Sequence, residues 1–228
     1  PWTQILTEMD REVGEVDFGP EAERDYYEIA DQWYGRWLKG ESTAAEEWPP
    51  IQLFVMGANK WRDEHEWPLA RTRYTEFYLH SGGGANTAGG DGARAQTAPV
   101  QEPADEYDYD PRDPVMSMMG VESQAAPRDQ APHDGRRDIL VYQTPVLKQD
   151  LEVIGPVELR LWASSSAPDT DFTAKLIDVH PSGLAVNLTY GILRTRYRDG
   201  YDDPTLIDPG APYEFTIKLK PTGIVFRA

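Results

Sequence analysis

The stretch VELRLWASSSAPDTDFTAKLIDV, residues 157–179, is the most informative part of this chain for its fold class. In its first seven residues, apolar side chains alternate with Glu158, Arg160 and Trp162, which is the pattern of a strand with one buried face. A run of small and turn-forming residues then interrupts the pattern, and a second apolar run follows at residues 172–179. Two strands joined by a polar turn predict a domain built mainly from β-strands.

Further strand patterns lie on both sides of this stretch. Residues 213–219 and 75–80 alternate in the same way, and further strand candidates occur at residues 51–56 and 192–197. Many short strands separated by Gly, Pro, Asp and Asn favour an all-β sandwich, and among sandwiches a jelly roll. We expect core-facing side chains in that sandwich at Leu159, Leu161, Phe215 and Ile217.

Residues 20–39 carry the strongest helical pattern. Pro20 suits a first helical turn because its missing N–H needs no partner there, and Gly40 follows as a stop signal. An apolar stripe is formed by residues that recur at spacings of three and four, namely Ala22, Tyr26, Ile29, Ala30, Trp33 and Trp37. This spacing predicts an amphipathic helix over residues 20–39.

Residues 82–132 are rich in Gly, Ala, Pro, Gln and Asp. A structureless loop of that length is uncommon inside a compact domain. We therefore expect this segment to wrap around the surface of the sandwich, with short strands near Tyr107 and Tyr109.

The composition narrows the classes of partner. Lys plus Arg is 22 and Asp plus Glu is 39, so the net charge is −17. Such a surface repels phosphate backbones and anionic lipids, so we expect neither nucleic acid nor a membrane as a partner. The chain has no cysteine, which excludes disulfides and thiol nucleophiles, and no apolar run reaches the ~20 residues that span a bilayer. The compartment stays open, with the cytoplasm slightly favoured.

The sequence contains no complete catalytic or metal-binding motif. It has no Gly-x-Ser-x-Gly elbow, and none of its four histidines has a second histidine at ligand spacing. The glycine run at residues 81–84 lacks the rest of a phosphate loop and predicts a turn. The acidic cluster at residues 105–113 breaks the EF-hand spacing and is typical of hydrogen-bonded turns. We therefore predict no metal and no cofactor.

Trp61 and Trp67 flank the acidic run at residues 63–66. Aromatic rings beside carboxylates suit a cationic or amine-bearing substrate, so both tryptophans are candidate substrate-binding residues. The alternative is that they plug a domain interface, because a buried tryptophan usually packs with its N–H satisfied. The sequence leaves both interpretations open.

Four segments together resemble one family. They are LFVMGANKWRDEHEWP at residues 53–68, YDPRDPV at residues 109–115, ASSSAPDTDFTAKLIDV at residues 163–179 and GILRTRYR at residues 191–198. In this order they resemble the C-terminal region of the bacterial cocaine-esterase-like (CocE/NonD) serine hydrolases, a family that includes the X-prolyl dipeptidyl-peptidases. The resemblance covers nearly the whole chain.

The resemblance implies a two-part layout. Residues 1–45 would form the C-terminal end of an α/β-hydrolase domain, with the helix at residues 20–39 as its last helix. Residues 46–228 would form a jelly-roll, galactose-binding-like β-sandwich whose last strands are truncated. The upstream hydrolase domain would then be a partner of this chain, and a homo-oligomer is left open.

The family cleaves esters, amides or X-prolyl peptide bonds through an acyl-enzyme, with a Ser-Asp-His triad. The resemblance therefore implies a small ester or amide, or a short peptide, as substrate. The serine and aspartate would lie upstream of Pro1, so we expect the chain alone to be inactive. The family's triad histidine follows a Gly-Pro-Trp-Ser/Thr motif, whereas here Pro1-Trp2-Thr3 is followed by Gln4. Glutamine has no titratable nitrogen and cannot act as a general base near neutral pH.

The departure at Gln4 keeps other interpretations beside the hydrolase. One is a non-catalytic β-sandwich that binds a ligand or serves a structural role in a degenerate homologue. Another is that a nearby histidine, such as His65, replaces the missing base. A Gly-x-Ser-x-Gly motif upstream would separate the hydrolase from the binding module.

Overall fold

The computed structural model describes residue 2, residues 7–118 and residues 127–228. Within them the chain is mainly β, with one α-helix, α1 (Tyr26–Tyr34), and ten strands. In chain order the strands are β1 (Glu12–Val13), β2 (Val16–Asp17), β3 (Ile51–Val55), β4 (Lys60–Glu64), β5 (Tyr78–His80), β6 (Ala93–Ala95), β7 (Leu151–Ala163), β8 (Asp171–Val179), β9 (Ala185–Arg194) and β10 (Tyr213–Phe226). The mainly β class is confirmed, while the jelly-roll arrangement stays a prediction.

The longest strands, β7 and β10, form one antiparallel ladder. Its register places Leu161 opposite Phe215 and Leu159 opposite Ile217. Phe215 and Ile217 are fully buried, and both leucines pack half-buried against the same core. The predicted core positions are therefore confirmed, and Trp162, which alternates with them, is 69% exposed.

A second antiparallel ladder, β8 with β9, packs against the first. The ring of Phe172 in β8 lies 5.1 Å from that of Phe215, and Leu193 of β9 packs against the same core. The shared apolar cluster between the two ladders is the main core of the described chain. It arises because each strand carries its apolar side chains at every second position.

The strand predicted at residues 192–197 ends earlier than expected. β9 stops at Arg194, and Thr195–Tyr197 forms a 3-10 turn. The N–H of Thr195 donates to the carbonyl of Thr170 at 2.9 Å, and its buried hydroxyl donates to Asp169 at 2.9 Å. These bonds turn the backbone away from the ladder.

The hairpin of β3 and β4 attaches to the far end of β10. Met56, directly after β3, forms a parallel bridge with Ile224. A smaller core at this end contains Val55, Leu69, Ile154 and Val225. The strand predicted at residues 51–56 is therefore confirmed as β3 followed by this bridge.

The helix predicted over residues 20–39 is interrupted. Pro20–Ala22 forms a 3-10 turn, α1 covers Tyr26–Tyr34, and Gly35–Lys39 continues as a wider π-type helix. Gly40, with a φ of 72°, ends the helix in the left-handed conformation that glycine adopts easily. No helix in the described part of the chain is both long and apolar enough to cross a bilayer.

Asp25 explains the late start of α1. Its carboxylate accepts the N–H groups of Tyr27 at 2.7 Å and Glu28 at 3.2 Å, so it is the N-cap. Glu23, at the end of the 3-10 turn, is already extended. The apolar spacing continues through this break, which is why periodicity alone placed the start too early.

The segment after β4 has less regular structure than the sequence predicted. The strand expected at residues 75–80 is reduced to β5, which pairs with β6. The short strands expected near Tyr107 and Tyr109 are wrong, because the described residues 96–118 contain no strand. Asp105 fastens this segment instead, through hydrogen bonds from side chains and backbone that a strand would not use.

Candidate functional site

Trp61, the second residue of β4, lies on the surface where the N-terminal segment packs. Its indole Nε1 donates to the carbonyl of Glu21 at 2.6 Å. Its ring lies 5.4 Å from Phe54 of β3, edge to face, and the guanidinium of Arg24 sits 4.4 Å from the ring centroid. The ring of Trp2 lies 5.3 Å away on a tilted plane. These neighbours occupy much of the ring surface that a substrate would contact.

Trp2 is fixed in a similar way. Its Nε1 donates to the carbonyl of Ala22 at 2.6 Å, so Trp2 and Trp61 bind consecutive carbonyls of the Pro20–Ala22 turn. Ala22 itself is fully buried in a small core with Val13, Phe18 and Phe54. Gln4, which the resemblance drawn from the sequence would place at the triad-histidine position, lies outside the described residues.

Trp67 lies in the loop after β4, and its side chain is 38% exposed. The base of that loop is held by Glu64, a buried carboxylate that pairs with Arg71. The hydrogen bond from Arg71 is the main reason that the pKa of Glu64 lies below its usual value. Among the ring contacts of the described residues, none joins Trp67 to Trp61, so the two candidates do not share a stacked aromatic wall.

A shallow cleft of about 520 Å³ lies beside the Pro20–Ala22 turn. It is lined by Thr7, Pro20, Glu23, Arg24, Asp25 and Tyr26. These side chains offer charges and hydrogen-bond donors, but among them there is no histidine and no activated nucleophile. The cleft therefore has no means of acyl transfer with the residues described.

The glycine run at residues 81–84 does bind an anionic group, one from its own chain. The N–H groups of Gly82 and Gly84 donate to the carboxylate of Asp91, at 2.9 Å and 3.2 Å. The acidic cluster at residues 105–113 also bonds within the chain. The carboxylate of Asp105 accepts hydrogen bonds from the hydroxyls of Ser81 and Tyr142, both at 2.7 Å. No group of three metal-ligating side chains occurs within the described ranges.

The structure adds an aromatic groove that sequence reasoning did not identify. Trp33 of α1 stacks on Trp48 with ring centroids 6.4 Å apart, and Trp37 lies 5.8 Å from Trp33. With Pro49 and Pro50 they line an open groove of about 500 Å³. The available signal was the pair of tryptophans four apart on a helix, followed by a Trp-Pro-Pro sequence.

Comparison with known proteins identifies the family. The family model described as the X-Pro dipeptidyl-peptidase C-terminal non-catalytic domain matches residues 43–228. The chain belongs to this family. This family match, together with the relatives described next, confirms the resemblance to cocaine-esterase-like hydrolases that was drawn from the sequence.

Two curated relatives of this chain are esterases by name. The cocaine esterase of Rhodococcus sp. (strain MB1 Bresler) is 48% identical over 198 residues, which cover 85% of this chain and 34% of the esterase. A putative serine esterase of Mycobacterium bovis is 29% identical over 183 residues, 77% of this chain and 27% of that protein. The chain thus spans about a third or less of the length of these relatives.

Solved structures support the same grouping. An α-amino acid ester hydrolase superposes with a TM-score of 0.83 at 25% identity, over 100% of this chain and 40% of that one. An aminopeptidase from the marine sediment archaeon Thaumarchaeota archaeon gives a TM-score of 0.78 at 25% identity, over 95% and 37%. Both matches place the described fold within larger hydrolases.

Proposed function

We propose that this chain is part of a serine hydrolase that cleaves ester, amide or X-prolyl peptide bonds through an acyl-enzyme. The serine nucleophile and the triad aspartate would come from the part of the protein upstream of this chain. The names of the relatives, an esterase, an amino acid ester hydrolase and an aminopeptidase, support acyl transfer as the common chemistry. The chain alone would then be inactive.

The exposed apolar surface of α1 and of the Gly35–Lys39 segment that continues it carries this proposal. Large apolar side chains are left open to solvent around the helix, at 47–77% exposure, namely Tyr27, Trp33, Tyr34, Trp37 and Leu38. α1 has no buried residue at all. A helix that is apolar on more than one face is normally buried between two layers of protein. We infer that the upstream hydrolase domain covers α1. Residues 1–45 would be the C-terminal end of that domain, with the helix predicted at residues 20–39 as its last helix.

The division of labour follows from this layout. In a serine triad the histidine takes the proton from the nucleophile and returns it to the leaving group. Position 4 would bring that base, although here it is a glutamine. The β-sandwich would contribute no reacting atom and would instead hold the end of the hydrolase domain in place, as the contacts of Trp61 with the Pro20–Ala22 turn suggest.

Lysine substitutions on α1 and on the π-type segment Gly35–Lys39 that continues it test the proposal. In the 228-residue chain, Tyr27→Lys and Leu38→Lys should leave the free energy of unfolding nearly unchanged, because both side chains are 70% or more exposed. In the full-length protein, each should lower it by roughly 2 kcal/mol or more, because an unpaired charge would be buried. Urea unfolding followed by tryptophan fluorescence measures both.

Tyr201→Lys is the matched control, since Tyr201 is 80% exposed on a loop of the β-rich part. It should be tolerated in both proteins. If the full-length protein tolerates Tyr27→Lys and Leu38→Lys as well as it tolerates Tyr201→Lys, the upstream part does not cover the helix and the proposal fails.

The aromatic groove favours a second candidate function, a binding module without chemistry. Its tryptophan faces and prolines, with the Arg36–Glu46 ion pair at 3.3 Å, would suit a flat ring stacked between them. The two candidates differ in what lies upstream. A Gly-x-Ser-x-Gly motif in the full reading frame favours the hydrolase, and its absence favours the binding module.

A further inference from the structure

We propose that Arg94 is a binding site for a carboxylate that the described residues do not supply. Arg94 is the middle residue of β6, and its guanidinium keeps its positive charge at any ordinary pH. The carboxylate would belong either to another part of the full-length protein or to a small organic acid. Nothing in the proposed hydrolysis uses this residue, so its ligand is independent of whether the chain belongs to an active enzyme.

The backbone at Arg94 is fixed on both sides. In the β5–β6 pair it lies opposite Leu79, and on its other side its N–H donates to the carbonyl of Gln143 at 2.8 Å. Two residues earlier the packing is so close that a Cβ on Gly92 would lie 2.0 Å from the carbonyl oxygen of Val141. The side chain therefore starts from a rigid strand and has less freedom to lose on binding than one on a mobile loop.

One donor of this side chain is buried without a partner. Arg94 as a whole is half-buried, and its Nε is shielded from solvent with no hydrogen-bond acceptor among the described residues. Burial lowers the pKa of Arg94, whereas the pKa of Arg136 is raised by Asp138 and that of Arg194 by Asp171. A desolvated cation without a counterion is unfavourable, so an incoming carboxylate would relieve this cost.

The carboxylates of the same stretch of chain are engaged elsewhere. Asp91 accepts the N–H groups of two glycines, and Asp105 accepts two hydroxyls and a backbone N–H. Glu102 bonds to His80, which follows Leu79 in β5 and so projects from the opposite face of the strand. The chain has 39 Asp and Glu against 22 Lys and Arg, so Arg94 does not lack a partner for want of carboxylates.

Charge favours a carboxylate over a phosphate at this position. The planar fork of a guanidinium matches the two oxygens of either group. A phosphate carries more negative charge than a carboxylate, and the net charge of −17 opposes it more strongly. This chain spans about a third of the cocaine esterase that it matches, so a side chain in the remaining protein is one source. A free organic acid is the other.

An acetate titration of the 228-residue chain is the first test. Sodium acetate is compared with sodium chloride at equal ionic strength, and thermal unfolding is followed by circular dichroism. Acetate at about five times its dissociation constant should raise the Tm of the parent by about 2–4 °C. Arg94→Met should lose this gain, whereas Arg137→Met, which alters an exposed arginine, should keep it. If phosphate protects the parent and acetate does not, the ligand class is wrong.

NMR gives a direct reading that does not depend on the stability of a variant. The Nε–H signal of Arg94, assigned with Arg94→Lys, should shift saturably with acetate and not with chloride. Arg94→Lys keeps the charge but removes the two-pronged geometry, so its gain in Tm with acetate should be smaller than that of the parent. An Nε–H signal that acetate leaves in place would overturn the assignment of Arg94 as a carboxylate site.

The full-length protein separates the two sources. If the carboxylate comes from the rest of the protein, Arg94→Met should lower the Tm of the full-length protein, because it breaks an ion pair. The same substitution should raise the Tm of the 228-residue chain, where the charge is unpaired, and acetate should not protect the full-length parent. If the ligand is a free acid, acetate should protect both parents alike.

Two results would count against both sources. A lower Tm for Arg94→Met than for the parent in the acetate-free 228-residue chain would show that Arg94 already has a partner there. A full-length protein that responds neither to acetate nor to Arg94→Met would show that Arg94 binds no carboxylate in the complete molecule.

Discussion

Asp169 lies in the turn before β8 and Asp171 is the first residue of β8, and of the two carboxylates that of Asp169 is the better shielded from solvent. Its carboxylate accepts bonds from the hydroxyl of Thr195 at 2.9 Å and from Nε of Arg196 at 2.7 Å. Burial would raise the pKa of Asp169, but the bonds from Arg196 and Thr195 outweigh it, so the pKa lies below its usual value. Asp169→Asn should therefore lower the free energy of unfolding by ~1–3 kcal/mol in urea titrations.

Asp171→Asn is the matched control for that substitution. Asp171 pairs with Arg194, but these side chains are 35% and 48% exposed, so the ion pair is screened by water. We expect a loss of only ~0–1 kcal/mol. Equal losses of stability in the two variants would show that the contribution of these carboxylates does not depend on how deeply each is buried.

His80 is the residue whose protonation should be visible in the stability of the chain. Its Nδ1 lies 2.7 Å from the carboxylate of Glu102 and its Nε2 lies 2.8 Å from the carbonyl of Thr97, so both nitrogens must donate. The bond with Glu102 raises the pKa of His80 above the usual 6.5. The resulting stability is complete below 6.5 and is lost as the pH rises through the higher folded value.

His80→Gln tests this pH dependence, because glutamine cannot titrate. The free energy of unfolding of the parent chain should fall relative to that of the variant as the pH rises above 6.5. If the free energy of unfolding of the parent and of His80→Gln changed with pH in parallel, the hydrogen bonds of His80 to Glu102 and Thr97 would not be the source of the pH dependence.

At the scale of elements, the packing of β9 on β10 depends on Gly191. A Cβ at this position would lie 2.4 Å from the carbonyl oxygen of Lys218 and 3.1 Å from Cγ2 of Ile217. The oxygen belongs to a paired strand and cannot move aside without disturbing the β7–β10 ladder. Gly191→Ala should lower the free energy of unfolding by ~1–3 kcal/mol, measured by urea unfolding.

Gly135→Ala is the corresponding control, because no atom lies within 4 Å of a Cβ built there. Its effect should stay within about 0.5 kcal/mol of zero. A Gly191→Ala variant as stable as Gly135→Ala would mean that the two ladders separate more easily than their packing implies.

The accuracy of the sequence prediction varied with the kind of element. Alternation located β7 and β10 and the side chains they bury, because a strand with one buried face repeats every two residues. The helix at residues 20–39 was placed too early, because the Asp25 cap stops α1 from extending back while the apolar spacing continues. The strands expected near Tyr107 were wrong, because the bonds that fasten that segment come from side chains distant in sequence.

For the candidate site, the sequence supplied the residues but not their arrangement. The order of the four motifs indicated the family. The same resemblance singled out Gln4, because it follows Pro1-Trp2-Thr3 where the family has its triad histidine. The pairing of Trp61 with Trp2 could not be foreseen, since it joins residues 59 positions apart and depends on the turn between them. The tryptophan groove was missed for the same reason, because Trp33 and Trp48 meet only once the chain has turned after α1.

At the scale of the whole molecule, catalysis should depend on parts that this chain does not supply. The 228-residue chain should not turn over a p-nitrophenyl ester above the buffer rate, since it has no nucleophile elbow. The full-length protein, if its serine and oxyanion donors are intact, should be slow and not inert. Removal of a triad member typically leaves ~10³–10⁴-fold catalysis over water from the remaining groups.

Gln4→His in the full-length protein should then raise kcat by roughly 10²–10⁴-fold, the usual contribution of a general base. KM should change little, because the base acts mainly in the transition state. Gln4→Asn is the control, since it alters the side chain without supplying a titratable nitrogen, and it should not raise kcat.

If the parent is already fully active with Gln4 in place, another residue serves as the base. His65, in the exposed loop after β4, would then be the candidate to replace. If Gln4→His gives no gain and His65→Gln removes no activity, position 4 does not carry the triad base and the hydrolase proposal loses its chemistry.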